Sequence, residues 1–266
     1  MQIYTDDKKL SQELKKTEIQ ALITYFFDLD EPVILRTIRQ KFPENKHLDK
    51  QLELLIASEI ISREYRRYQL KLEAIQTYPA TQTVQAFIEQ QTKKYSEDEL
   101  LVWLAEGLLS KSVSATLMVG FSMPFCTRLE HSQFDIVTIN KQNSSAKTLP
   151  NYFAEIDQPQ KYPELSHLLG DVNREFFTNQ LTLLIERISK GKAPRRASIF
   201  LESLLASGVV VNEPEWQMAI PVVEEPILIG KQEWTAETSD FFFAHELAER
   251  LLGDRESFTY LIKKKA

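Results

Sequence analysis

Apolar residues stand three and four positions apart along residues 17–27, which is the spacing of a helix with one buried face. The apolar positions are Ile19, Leu22, Ile23, Phe26 and Phe27. Thr17, with Gln20 three residues later, forms the pattern of a capping box and predicts where this helix begins. The chain is therefore expected to begin its first folded region with an amphipathic helix.

Two more helices with the same period are expected before residue 58. The first is predicted to start from Asp30 as its N-cap and to stop before Pro43, because proline cannot continue a helix. The second is predicted to start from Asn45. Their apolar positions are Ile34, Leu35, Ile38 and Phe42 in the first, and Leu48, Leu52, Leu55 and Ile56 in the second.

After Ile60 the pattern changes from a helical period to a strand period, because Tyr68, Leu70 and Leu72 alternate with polar residues. Three short helices followed by a β-hairpin are typical of the winged variant of the helix-turn-helix. We therefore interpret residues 17–72 as a winged helix.

The sequence after residue 79 predicts mainly helices. Ser96 with Glu99 forms the pattern of a capping box at the start of one helix. Pro163 and Gly170 mark the start and end of a short helix. Asp171 and Gly191 mark the start and end of a longer one. The lysines at 263–265 suit the C-terminal end of a last helix. The fold class expected is mainly α with small β-hairpins (α+β): a winged-helix domain at residues 1–79 and a helical C-terminal domain at residues 80–266.

A faint repeat links the two predicted domains. LELLIASEIISRE at 52–64 and LESLLASGVVVNE at 201–213 are identical at six of thirteen positions, and each predicts a helix that leads into a strand. Residues 171–223 are therefore a candidate for a second, truncated winged helix, since too few residues follow Gly191 for a middle helix. Convergence explains the likeness equally well, because a helix that runs into a strand favours such residues.

Composition narrows the class of protein. Only 7 glycines occur in 266 residues, which weighs against Gly-rich dinucleotide and phosphate loops. The single cysteine, Cys126, excludes an intramolecular disulfide, and the start MQIYTDDKKL lacks the apolar stretch of a secretory signal. No apolar run reaches the length of a membrane span. We therefore expect a cytoplasmic protein without a membrane segment.

Motifs for catalysis or metal binding are incomplete. VGFSMP at 119–124 half resembles the nucleophile elbow of serine hydrolases with Ser122 as nucleophile, but Pro124 replaces the second glycine. ERISKGKA at 186–193 lacks the first glycine and the hydroxyl of a phosphate loop. His167 and His245 have no second histidine at zinc-site spacing. We expect no catalytic residue, no metal and no cofactor, and keep a serine hydrolase only as a distant alternative.

Basic residues form the remaining candidate site, a nucleic-acid interface. The net charge is −6, yet residues 1–79 are balanced, with 13 lysines and arginines against 13 acids. Basic residues of a wing suit phosphates, and those before a helix N-terminus do as well. The predicted nucleic-acid contacts are Lys46, Lys50, Arg63, Arg66 and Arg67 in the first winged helix, and Lys190, Lys192, Arg195 and Arg196 before the repeated helix.

Two functions remain open on these patterns. The first is DNA binding by a regulatory or accessory protein. The second is a protein–protein adaptor, because Asp49 and Glu53 lie where DNA contacts are expected and a mixed-charge helix also suits a protein partner. The sequence does not predict an oligomeric state.

The overall layout resembles a known but uncharacterised family. The residues that carry the resemblance are an N-terminal winged-helix pattern followed by YPELSHLLGDVNREFF and SIFLESLLASGVV. In this layout the chain resembles a family of bacterial cytoplasmic proteins known only as a domain of unknown function. The resemblance implies a similar arrangement of domains but no activity, cofactor or functional residue.

Overall fold

The computed structural model of the 266-residue chain describes residues 2–79, 81–109, 116–141, 146–230 and 237–264. The chain folds into two compact units. Unit 1 comprises Met1–Ala80, Lys111–Ser122 and Trp234–Phe242, and unit 2 comprises Thr81–Ser110, Met123–Glu233 and Phe243–Ala266. Both units combine helices with small sheets, so the fold is α+β, as predicted.

Unit 1 alternates short strands and helices. Its elements are β1 (Gln2–Tyr4), α1 (Lys8–Leu14), α2 (Thr17–Phe27), β2 (Val33–Ile34), α3 (Leu35–Lys41), α4 (Leu48–Ala57), β3 (Ile61–Glu64), β4 (Arg67–Leu70), β5 (Ala74–Ile75) and β6 (Leu117–Val119). β3 and β4 form an antiparallel hairpin, and β2 pairs with the other edge of β4. In a second small sheet, β6 pairs antiparallel with β1 and parallel with β5.

The core of unit 1 lies between α2, α3, α4 and the hairpin. The predicted apolar positions that are buried in it are Ile19, Leu22, Ile23, Phe26, Ile38, Leu48, Leu52, Leu55 and Tyr68. The helical period of α2 and α4 is thereby confirmed, because the buried residues recur every three or four positions. α1 adds Leu10 and Leu14 to the same core, which the sequence pattern did not predict.

The predicted start of the second helix is wrong. Asp30 does not cap it: Val33 and Ile34 pair with β4 as a strand, so α3 begins only at Leu35. The main chain gains two rungs of sheet hydrogen bonding in this way, which a propensity argument about one segment does not foresee. Ile34 is consequently exposed rather than part of a buried helix face.

The other predicted caps in unit 1 are also wrong in detail. α2 begins at Thr17 as expected, but its N-cap is Lys16, and Gln20 donates to the carbonyl of Leu14 instead of closing a capping box. Asn45 lies two residues before the true N-cap of α4, His47, and its Oδ1 accepts from the His47 N–H at 3.0 Å. Phe27, placed on the buried face of α2 by spacing, is exposed, because α2 ends there.

Unit 2 contains a four-stranded sheet and most of the helices. Its elements are α5 (Thr81–Gln91), α6 (Glu97–Gly107), β7 (Phe125–Glu130), β8 (Phe134–Asn140), α7 (Leu149–Ala154), α8 (Pro163–Leu169), α9 (Arg174–Ser189), α10 (Ile199–Ala206), β9 (Val210–Val211), β10 (Gln217–Met218), β11 (Val222–Val223), the part of α11 (Glu237–Leu252) from Phe243 onward, and β12 (Ser257–Lys263). The strand order is β11–β12–β8–β7, with β11 parallel to β12 and the other neighbours antiparallel.

The sheet of unit 2 is covered on both faces. All seven residues of β8 are buried. Phe134 and Ile136 point into the apolar core formed with α7, α8, α9 and α10. Residues on the opposite face meet α6, where Tyr260 of β12 donates to Glu106. Since side chains alternate along a strand, burial of the whole of β8 requires partners on both sides.

The predicted helix ends in unit 2 are partly confirmed. Ser96 and Glu99 form the expected capping box, Pro163 begins α8, and Gly191 follows α9 with φ +66°. Asn173, not Asp171, caps α9, and its Oδ1 accepts from the Phe176 N–H at 3.0 Å.

The prediction of a final helix ending in lysines is wrong. Ser257–Lys263 is a strand that pairs with β8 over seven residues, Lys264 follows it, and Lys265 lies outside the described part of the chain.

The aligned segments end their helices in the same way. In unit 1 the N–H groups of Ser58, Glu59 and Ile60 donate, respectively, to the carbonyls of Leu54, Ile56 and Leu55. In unit 2 the N–H groups of Ser207, Gly208 and Val209 donate, respectively, to the carbonyls of Ser203, Leu205 and Leu204. The middle residue of each set has a left-handed φ, +57° for Glu59 and +67° for Gly208. Each segment then enters an antiparallel hairpin. The sequence repeat therefore corresponds to a repeated Schellman-type helix end.

Candidate nucleic-acid interface

The predicted basic residues are all exposed, but they form separate groups. Arg63, Arg66 and Arg67 lie on the β3–β4 hairpin of unit 1, with Arg66 in its turn. Lys46 and Lys50 lie at the beginning of α4, one of them just before the helix and one inside its first turn. The basic residues from 190 to 196 lie in the connection between α9 and α10 of unit 2.

Tyr65 and Arg66 form the two-residue turn of the hairpin. Their φ values are +50° and +64°, which is the pattern of a type I′ turn. This turn normally contains Asn-Gly, because bulky residues in the left-handed region cost on the order of 1–2 kcal/mol each. The Tyr65 side chain is nonetheless 97% exposed. An exposed aromatic residue held in an unfavourable backbone conformation is typical of a contact surface.

The strands below this turn orient two of the arginines. Arg67 lies opposite Glu64 and donates from Nη1 to the carbonyl of Pro32 at 3.0 Å. The guanidinium of Arg63 lies 5.4 Å from the ring centre of Tyr68, which is within cation–π range. Both side chains are therefore partly ordered before any partner binds.

Charges on α4 are mixed, as the sequence indicated. Asp49, however, is bonded by both oxygens to Nη2 of Arg39 on α3, at 2.8 and 3.1 Å. This ion pair offsets the charge of Asp49 toward an anionic partner. Glu53 is exposed on the same helix and has no described cation within ion-pair distance.

Helix α3 adds two arginines that were not among the predicted contacts. Arg36 is exposed and follows Ile34 by two residues, and Ile34 pairs directly with Arg67. Arg36 and Arg39 are spaced for one helix face. Their spacing was visible in the sequence, but their proximity to the hairpin depends on the pairing of β2 with β4.

A groove of about 620 Å³ lies between α9, α10 and the connection that joins them. Its lining contains Arg187 and all four basic residues predicted in this region, Lys190, Lys192, Arg195 and Arg196. Glu186 is the acidic residue among those that line it. The predicted residues are therefore brought together around one concave surface. Arg187 is an addition to the predicted set, and its spacing of three residues from Lys190 was visible in the sequence.

The groove also has apolar walls, which were not predicted from the sequence. Leu183, Leu184 and Phe200 line it, and the Leu183 side chain is 74% exposed. The Phe200 ring lies 5.9 Å from those of Phe176 and Phe177, centre to centre, and is held by them. Apolar and cationic side chains thus share one surface.

Two polar clusters beside the sheet of unit 2 are bonded internally. Asn140 and Asn151 exchange amide hydrogen bonds at 2.8 and 2.9 Å, and Asn151 also accepts from Thr127 at 2.6 Å. Arg128 donates to Glu106 at 2.7 Å and to Asp135 at 2.9 Å. Because their hydrogen-bonding groups are paired within the protein, these clusters attach α7 and α6 to the sheet.

Residues considered for catalysis have ordinary structural surroundings. Ser122 is exposed shortly after β6. His245 is buried, and its Nδ1 donates to the carbonyl of Pro124 at 2.7 Å. Burial lowers the pKa of His245 to about 4 and raises that of the Cys126 thiol to about 12. His245 is therefore neutral and Cys126 protonated at neutral pH.

In the described residues no three His, Cys, Asp or Glu side chains cluster as metal ligands would. None of the described helices combines the length and the apolar character that crossing a membrane requires.

The N-terminal part of the chain, which contains α2, α3, α4 and the β3–β4 hairpin, is similar to a known protein family. Residues 1–102 match the family described as a domain of unknown function (DUF1803). The expected resemblance to an uncharacterised family is thereby confirmed for this part of the chain. The two segments on which the resemblance partly rested lie beyond the DUF1803 match. No curated protein and no solved structure matches the chain.

Proposed function

We propose that this protein is a non-enzymatic, cytoplasmic DNA-binding regulatory or accessory protein, and that residues 17–72 form a winged helix. The observation that carries the proposal is the exposed β3–β4 hairpin, which presents Arg63, Arg66 and Arg67 around a turn with an exposed Tyr65. Arginines of a wing bind phosphates or enter the minor groove.

The order of elements supports the winged-helix assignment. α2, α3 and α4 are followed by the hairpin, and β2, between the first two helices, completes a sheet with the order β2–β4–β3. In such an arrangement α4 takes the position of the recognition helix. Lys46 and Lys50 at its exposed beginning then face the nucleic acid, while the Arg39–Asp49 ion pair reduces repulsion. The repeated helix end in residues 171–223 supports a truncated second copy.

A protein–protein adaptor is the second candidate. The observation in its favour is the combination of an almost fully exposed Tyr65 with Glu53 and Glu64 on the same module. Exposed tyrosine and arginine are frequent anchors of protein interfaces. Acidic residues beside them suit a partner with both signs of charge better than they suit a phosphate backbone.

Salt-dependent binding to duplex DNA tests the two candidates. Arg66→Gln with Arg67→Gln is expected to weaken binding to all sequences similarly, and to lower the slope of log affinity against log salt by about 0.9 for each lost phosphate contact. Glu53→Gln is expected to strengthen binding, because a carboxylate that faces phosphates is repelled by them. Gel shifts over a series of salt concentrations measure both effects.

The matched control is Lys93→Gln with Lys94→Gln, which removes the same net charge from exposed positions in unit 2. It is expected to leave the slope unchanged. Failure of the unmodified protein to shift any duplex at low salt rejects the DNA proposal. Capture of a protein partner that resists nuclease treatment and depends on Arg66 and Arg67 then favours the adaptor.

A further inference from the structure

The groove between α9 and α10 concentrates positive charge in a chain that is negative overall. Five of its lining residues are cationic and Glu186 is acidic, while the whole chain carries a net charge of −6. The overall composition is acidic, so the positive charge of this groove comes from the local grouping of its lysines and arginines.

The connection between the two helices is held in a defined shape. Gly191 adopts φ +66° after α9, and the Gly191 and Lys192 N–H groups donate to the carbonyls of Ile188 and Arg187 at 2.9 and 3.1 Å. Arg187 then donates from Nε to the carbonyl of Ala193. These bonds fold the connection back on the end of α9. The basic side chains that follow start from an ordered main chain, which lowers the entropy lost on binding a ligand.

Only part of this positive charge is used within the protein. Lys190 forms an ion pair with Glu186 at 2.6 Å, and Arg187 is engaged with the connection. Lys192, Arg195 and Arg196 have no carboxylate within ion-pair distance in the described part of the chain. Three cations within five residues repel one another, so a multivalent anion between them is favoured.

The apolar walls restrict the type of ligand. Leu183 is 74% exposed and Phe200 presents part of its ring, both beside the cationic residues. Inorganic phosphate leaves these side chains uncovered. A ligand that joins compact negative charge to a flat, weakly polar ring covers both parts of the groove.

We propose that this groove binds a nucleoside polyphosphate, with the phosphates at Lys192, Arg195 and Arg196 and the base against Leu183 and Phe200. The volume of about 620 Å³ lies within the range of pockets for small molecules. Guanidinium groups bind phosphate through two parallel hydrogen bonds. An acidic peptide spaces single charges along its length, whereas three neighbouring cations match the compact charge of a polyphosphate. This site is independent of the proposed DNA-binding module.

Calorimetric titration of the full chain with ATP, inorganic triphosphate and adenosine tests the proposal. ATP is expected to bind more tightly than either fragment. Arg195→Gln with Arg196→Gln is expected to weaken ATP binding by roughly tenfold or more, because charge-assisted contacts are lost. Leu183→Ser is expected to weaken binding of ATP but not of triphosphate. Leu183 is exposed, so its replacement leaves the core intact.

Two control variants separate this site from general electrostatics and from DNA binding. Lys93→Gln with Lys94→Gln removes two exposed cations elsewhere in unit 2, and Arg66→Gln with Arg67→Gln removes two in unit 1. Both are expected to keep ATP binding within about twofold of the unmodified protein. Unmodified protein that binds ATP but shifts no duplex at low salt rejects the DNA proposal alone, and unmodified protein that shifts duplex DNA but does not bind ATP rejects this proposal alone.

Three results overturn the assignment. The first is an absence of ATP binding at millimolar concentration. The second is equal affinity for ATP and triphosphate, unaffected by Leu183→Ser, which indicates a site for polyanions without a base. The third is much tighter binding of a single-stranded oligonucleotide that Arg195→Gln with Arg196→Gln abolishes, which assigns the groove to a nucleic-acid strand.

Discussion

Three non-glycine residues of unit 1 adopt a left-handed backbone conformation. Glu59, Tyr65 and Arg66 all have positive φ, a region that non-glycine residues seldom occupy. Glu59 ends a helix, where its counterpart in unit 2 is Gly208. Tyr65 and Arg66 form a hairpin turn and face solvent. The backbone strain at Glu59 is a cost of ending the helix, whereas the strain at Tyr65 and Arg66 lies in the proposed interface.

The residues of the hairpin turn are expected to lower the stability of the fold and to contribute to DNA binding. Tyr65→Asn with Arg66→Gly supplies the preferred type I′ pair and is expected to raise the free energy of unfolding by about 1–2 kcal/mol. The same variant is expected to weaken DNA binding, because it removes the exposed ring and one wing arginine. Urea denaturation and gel shifts measure the two effects. A variant that is both more stable and fully active shows that the turn makes no contact with DNA.

The two helix ends are expected to respond in opposite directions to matched substitutions. Gly208→Ala is expected to lower stability by about 1 kcal/mol, since an added Cβ meets no atom within 4 Å and the penalty is one of backbone conformation. Glu59→Gly is expected to raise stability by about 0.5–1 kcal/mol, because its exposed ion pair with Lys71 contributes little. Denaturant midpoints check both signs. A neutral Gly208→Ala contradicts the explanation.

At the level of elements, the same helix end is used twice in different surroundings. α4 and α10 both run through a Schellman-type end into a hairpin, and both carry a fully buried leucine at the corresponding position, Leu55 and Leu204. In unit 1 the hairpin extends over four residues per strand, whereas in unit 2 it has two. The two copies therefore share the helix end and its buried leucine and differ in the length of the hairpin that follows.

Truncation of the two equivalent leucines is expected to cost similar energy. Leu55→Ala and Leu204→Ala are each expected to lower the free energy of unfolding by about 2–5 kcal/mol, because each leaves a cavity in an apolar core. Leu183→Ala, at an exposed position, serves as a control and is expected to change stability by less than about 0.5 kcal/mol. A loss below half a kcal/mol for Leu55→Ala contradicts the placement of α4.

For the whole molecule, charge is distributed unevenly rather than balanced locally. The excess of acidic residues lies beyond residue 79, yet the groove between α9 and α10, with five cationic lining residues, lies there as well. Net charge is therefore a poor guide to the ligands of this chain. The proposed assignments place DNA and a nucleoside polyphosphate at different basic surfaces, each testable without the other.

Stability is expected to fall in mild acid because of one buried histidine. Desolvation lowers the pKa of His245 from 6.5 to about 4, so between these values the unfolded chain binds a proton that the folded protein does not. The contribution of His245 to the free energy of unfolding is therefore nearly complete above pH 6.5, and roughly 3 kcal/mol of it is lost by pH 4. His245→Gln is expected to remove this part of the dependence. Denaturation at several pH values measures the difference, and parallel curves for the two proteins contradict it.

Sequence alone determined the features that depend on neighbouring residues. Spacing located the buried faces of α2 and α4, alternation located Tyr68 in the hairpin, and local signals located the capping box at Ser96 and the glycine end of α9. These predictions succeeded because helix and strand periods place nearby residues on one face, and because caps satisfy main-chain groups only a few residues away.

Tertiary structure decided what depends on distant segments. The lysines at 263–265 predict a helix end, but β12 pairs there with β8, more than a hundred residues earlier, and β2 displaces the predicted start of α3 by pairing with β4. The groove is a second example: its basic residues are visible in the sequence, but Phe200 of α10 joins the residues of α9 only when the two helices pack together. Hydrogen bonds and apolar contacts between remote residues outweigh local preference there, because burying a strand or a helix face stabilises far more than a cap does.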